Sequence, residues 1–85
     1  MEAEVGTYIA ECFWPGVTEQ DVHALDERIN VCLADGVSYL GSILIRDDEV
    51  VFCQFYGRVD AIRAVAARAQ VPYERLLVTE RSNDA

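Results

Sequence analysis

Apolar positions along the chain change spacing several times, and each change marks an element. From Thr7 to Gly16 the run TYIAECFWPG is rich in β-branched and aromatic residues and stops at Pro15-Gly16, which predicts a strand ending in a turn. Thr18 then stands as a helix N-cap, with Asp21 three residues on approximating a capping box. Val22, Leu25, Ile29, Cys32 and Leu33 follow at helical spacing, and Asp35-Gly36 is expected to end that helix with a glycine suited to the left-handed position. Residues 37–46 and 49–56 read as two strands around an Asp47-Asp48 turn, with Gly57 breaking the second. A second helix is expected over 58–70, with Val59, Ile62, Val65, Ala66 and Ala69 on one stripe, and Pro72 forbids its continuation. Residues 73–81 alternate in part and predict a fourth strand. Residues 1–6 read as a polar lead-in and 82–85 as a loose tail.

The order β-α-β-β-α-β predicts an α+β, ferredoxin-like fold in one domain over residues 1–85, with both helices on one face of a four-stranded antiparallel sheet. The other face is left bare, yet the hairpin is apolar on both sides: Ile43, Leu44 and Ile45 run together, as do Val50, Val51, Phe52 and Cys53. With a two-residue turn, Arg46 faces Glu49 and Ile43 faces Phe52. One side then carries Tyr39, Gly41, Ile43, Ile45, Val50, Phe52, Gln54 and Tyr56, and is assigned to the open face. Ser38, Leu40, Ser42, Leu44, Val51, Cys53 and Phe55 are assigned to the helix side. A soluble monomer rarely tolerates so large a contiguous apolar patch. Covering ~400 Å² is worth on the order of 10 kcal/mol before association costs. A second copy related by a two-fold axis is the simplest cover, and two such sheets face to face form a dimeric α+β barrel.

Composition narrows the partners. The chain has 85 residues, a formal net charge of −8, and seven basic residues that are all arginine. That balance argues against nucleic acid and against an anionic membrane surface. The aromatic run from Val51 to Gly57 lacks the basic residues that accompany base-stacking strands. Cys12, Cys32 and Cys53 each lie in an apolar segment without a C-x-x-C pair, which reads as three buried thiols in a reducing cytosol. Neither a signal peptide nor an apolar run long enough to span a bilayer is evident, so a cytoplasmic location is expected.

Three groups of residues carry candidate chemistry. Glu11 sits between Ala10 and Cys12 in the central first strand, where a carboxylate needs a hydrogen-bonding partner or a raised pKa. Strand parity leaves open which face it takes. Tyr39, Gly41, Phe52, Gln54 and Tyr56 are placed together as the lining of a small apolar pocket with few polar groups. His23, the only histidine, falls on one helical strip with Glu19 and Asp26, a thin set for a divalent transition metal against the plainer reading of a solvated acidic helix face.

Tyr8 to Val22, Gly36 to Ser42 and Asp48 to Gly57 together resemble a family of small bacterial proteins of ferredoxin-like fold grouped as nickel-binding or of unknown function. Its landmarks here are Tyr8, Glu11, Pro15-Gly16, Thr18-Glu19, Gly41-Ser42, Phe52-Cys53 and the stretch from Ala69 to Leu76, within a likeness reaching from about Tyr8 to Val78. The resemblance implies the fold, a homodimer and nickel, with no set of nickel ligands matched onto this chain. The expected function is thus a homodimeric protein binding a divalent metal or a small molecule. The alternative is a small cofactor-independent monooxygenase, cyclase or isomerase with Glu11 as base in an apolar pocket; a structural interaction module is the third reading.

Overall fold

The computed structural model describes residues 5–79. The elements run β1 (Val5–Phe13), α1 (Glu19–Cys32), β2 (Ser38–Ile45), β3 (Val50–Arg58), α2 (Val59–Ala69) and β4 (Arg75–Val78). The strands form one antiparallel sheet in the order β2-β3-β1-β4, so β3 and β1 are central and β2 and β4 are edges. This is the ferredoxin-like α+β arrangement expected from the sequence. Residues 1–4, the end of the fourth strand expected at 80–81 and the tail at 82–85 lie outside the described residues. Val5 and Gly6, expected in the lead-in, belong to β1.

Local chemistry sets the element ends. Thr18 caps α1 with a full capping box: its hydroxyl accepts from the Asp21 N–H, and the Asp21 carboxylate accepts from the Thr18 N–H. The helix stops earlier than expected, at an extended Leu33, and Gly36 serves the following turn, in which Val37 N–H donates to the Ala34 carbonyl. At the C-terminus of α2 the left-handed position falls on Gln70. The last turn of α1 holds no basic residue of its own, and that of α2 holds Arg68. Arg68 of α2 donates to the Cys32 carbonyl that ends α1, while Arg28 of α1 donates through Nε to the Ala69 carbonyl that ends α2. Each helix thus supplies the cation that its neighbour's C-terminus favours.

One core lies between the helices and the sheet. Leu25 and Ile29 of α1 and Ile62 and Val65 of α2 meet Ala10, Cys12, Val51, Cys53 and Phe55, all of them fully or almost fully buried. Gly57 does not break β3, which runs through it to Arg58. Its φ is +152°, and a Cβ there would lie 2.5 Å from the Gly36 carbonyl oxygen. The glycine lets the α1–β2 connection cross close over the strand.

Candidate functional site

The strand register assembles the open face as a grid. Across β2, β3, β1 and β4, one row holds Gly41, Gln54, Ile9 and Leu77, and the next holds Ile43, Phe52, Glu11 and Arg75. Beyond them toward the hairpin tip lie Ile45, Val50 and Phe13, and toward the other end Ser38, Tyr56 and Thr7. Phe13, Ile43, Ile45 and Tyr56 are exposed, with Ile43 at 47%. Glu11, in the middle of this surface, is only 8% exposed although no helix covers it.

Glu11 is held by Arg75, whose Nε donates to Oε1 at 2.7 Å from the adjacent β4. The carboxylate is nearly buried, while the Arg75 side chain is 63% exposed. The hydrogen bond to the carboxylate, with its charge, raises the Arg75 pKa further above its ordinary value. Glu11 is therefore the anion of an ion pair, not an unengaged base set in a pocket wall. Sequence reasoning singled out Glu11 but missed Arg75, which pairs with it across 64 positions of chain.

Tyr39 departs from its expected place. Gly41, Phe52, Gln54 and Tyr56 take the open face with Glu11, but Tyr39 lies opposite Phe55 on the helix side. A β-bulge between Tyr39 and Gly41 inserts Leu40, and Gly41 accommodates it with φ +111°. One extra residue reverses the side-chain alternation. Tyr39 turns inward and Ser38 outward, while Leu40 at the bulge is 53% exposed instead of packing under the helices. Ile43 still faces Phe52, as the Asp47-Asp48 turn requires.

Inward, the Tyr39 hydroxyl donates to Asp26 Oδ1 and the Ser42 hydroxyl donates to Asp26 Oδ2 at 3.1 Å. Burial and the bond to Asp26 push the Tyr39 pKa well above 10. Cys12 and Cys53 are fully buried beneath the same helices, and the Cys12 thiol is pushed up by its contact with Cys53 and by burial.

The proposed metal trio is not assembled. Asp26 is turned to β2, Glu19 is engaged by Arg46 at 2.6 Å, and His23 stands exposed. Among the described residues no three His, Cys, Asp or Glu side chains are grouped to hold a metal ion. The donor set that nickel requires is thus not met by these three residues. Glu19 and His23 instead border a groove of ≈ 440 Å³ between α1 and β2, floored by Val22 and Leu44 and edged by Gln20 and Ser42. A second groove of ≈ 430 Å³ runs over the α1–α2 surface, where Val31 is exposed beside Arg28 and Arg68. Glu11 lines neither. No helix among the described residues is long and apolar enough to cross a membrane.

No family model, curated protein or solved structure matches the chain.

Proposed function

We propose that the chain is a homodimeric binding module, working in the cytoplasm, whose two copies close face to face through the open side of the sheet. The observation that carries this is the chemistry of that face. It presents Phe13, Ile43, Ile45 and Phe52 around one charge-neutral pair, Glu11–Arg75. The acidic excess sits elsewhere, on α1 at Glu19, Asp21 and Glu27 and on the hairpin tip at Asp47, Asp48 and Glu49. Two chains of net charge −8 repel in most orientations. Meeting through the open face brings together the surface with no net charge and keeps the acidic layers outermost.

The size also fits. Three strands of 8 or 9 residues and a fourth of 4, set ~4.8 Å apart with ~3.3 Å per residue, present a face of ~450 Å² in projection. That is of the same order as the ~800 Å² per partner of accessible surface that a standard stable interface buries. All three cysteines are free thiols, which suits a reducing compartment.

A second reading rests on the α1–β2 groove, whose ≈ 440 Å³ falls within the ~300–1,000 Å³ usual for small-molecule sites. Its apolar floor and the Ser42 hydroxyl oriented by Asp26 suit a small amphipathic ligand.

The dimer is tested by placing a charge at its centre. Phe52→Glu is expected to give a folded monomer with an unchanged far-UV circular dichroism spectrum. A Phe52→Glu chain that sediments with the same mass as wild type removes the open face as the interface.

A further inference from the structure

The position of Glu11 on the face has a consequence for a two-fold packing whose axis passes through the centre of the apolar grid. Leaving aside the terminal Val5–Arg58 pair, where Arg58 is engaged by Asp60, the centre of the grid lies between β3 and β1, and between the Gln54–Ile9 row and the Phe52–Glu11 row. With strands ~4.8 Å apart and same-face residues ~6.8 Å apart along a strand, Glu11 stands ~4 Å from that centre. A two-fold axis lying in the interface through the centre carries each copy to the opposite side of the axis. Whatever its direction, the two Glu11 Cα positions then lie within ~8 Å of one another in projection, across sheets ~10 Å apart.

Two carboxylates so close in a dehydrated apolar interface repel strongly and need cations between them. The face supplies one cation per copy at the right level. Arg75 is one strand out from Glu11, its side chain is 63% exposed on this face, and its bond to its own Glu11 uses Nε. A guanidinium has four further N–H donors, and a carboxylate accepts more than one. We propose that the two Glu11–Arg75 pairs interlock across the two-fold axis, each Arg75 bridging its own Glu11 and the Glu11 of the second copy. The partner is a second copy of this chain, and the ring of four charges is incomplete without it. Embedded among Phe52, Ile9 and Ile43, such a ring would fix the register of an otherwise featureless apolar contact.

The inference rests on the homodimer, and the experiment separates the two. Chains carrying Glu11→Arg and Arg75→Glu, which differ in mass, are mixed in equal amounts and their dimers counted by native mass spectrometry beside the wild type. A cross-axis ring opposes four like charges in each like dimer and pairs opposite charges in the mixed one. The mixed dimer is then expected in at least about twentyfold excess over either like dimer, about tenfold beyond the statistical factor of two, a preference of ~1.4 kcal/mol. Glu11→Gln mixed with Arg75→Gln repeats the test with milder changes, since only the mixed dimer can place an arginine opposite a glutamate across the axis. It covers the case in which a charge-reversed chain does not fold. A wild-type dimer with mixed species at the statistical half in both experiments overturns the ring and leaves the dimer standing. A monomeric wild type overturns both.

Discussion

Gly57→Ala provides a sharp test of the packing that shapes the sheet, because the expected damage comes from two separate sources. A Cβ at residue 57 would meet the Gly36 carbonyl oxygen at 2.5 Å and the Val37 Cα at 3.3 Å. Both obstacles are backbone, so neither can swing aside as a side-chain tip would. Overpacking of this kind costs about 1–3 kcal/mol. The positive φ of 152° adds strain for any L side chain, about 1–3 kcal/mol where such conformations are enforced. Loss of glycine's freedom in the unfolded chain returns about 0.4–1 kcal/mol. A net destabilisation of about 2–4 kcal/mol follows, against a total of roughly 4–13 kcal/mol for a chain of this length. In thermal unfolding followed by far-UV circular dichroism, that is a fall in Tm of roughly 10–25 °C at matched protein concentration. Gly6, paired directly with Gly57 in the β1–β3 ladder, is the internal control. A Cβ there approaches nothing closer than Tyr8 Cε1 at 4.0 Å, so Gly6→Ala is expected to move stability by about 1 kcal/mol or less. If Gly57→Ala unfolds no earlier than Gly6→Ala, the close crossing of the 36–37 connection over β3 is wrong.

Two further outcomes follow from the inward side of the sheet. Tyr39 holds its proton more tightly in the folded state than in the unfolded one, through burial and its bond to Asp26. The associated stability is complete below the ordinary tyrosine pKa of about 10 and declines as pH rises beyond it; urea unfolding midpoints of wild type should therefore fall above pH 10 more steeply than those of Tyr39→Phe, and parallel slopes would show that Tyr39 is not shielded. Cys12 and Cys53 are fully buried while Cys32 is partly exposed, so a thiol reagent under native conditions should label one cysteine, Cys32, long before the other two; rapid labelling of all three would mean that the core opens.

Much of the fold was legible in the sequence because it is written in local chemistry. The capping box at Thr18 and Asp21, the helical stripes and the Asp47-Asp48 turn each require only neighbours within a few residues. Those signals fixed the element order, and the order fixed the sheet. What escaped depended on single-residue parity or on distant partners. Sequence places Gly41 in the lining of a pocket, whereas it absorbs the bulge at Leu40 that turns Tyr39 to Asp26. By local pattern Gly57 breaks the strand, yet its role is the approach of backbone from residue 36, which no local pattern records.

The candidate site divides in the same way. Glu11 was conspicuous as a lone charge in an apolar strand, but its partner Arg75 belongs to a strand whose register sequence alone does not set. Asp26, Glu19 and His23 share a helical strip on spacing, and spacing alone suggested a ligand set. Tyr39 and Ser42 draw Asp26 to the sheet, and Arg46 takes Glu19. A helical wheel places residues on a strip; it does not say what the neighbouring strand will offer them.

The most direct measurement is sedimentation of the unmodified chain at micromolar concentration. An apolar sheet face around a neutral ion pair predicts the mass of two chains, held no less tightly as salt is added, because salt screens the repulsion between two chains of net charge −8 while the buried face carries no net charge. A single-chain mass with Phe52 and Ile43 in contact with water would contradict it.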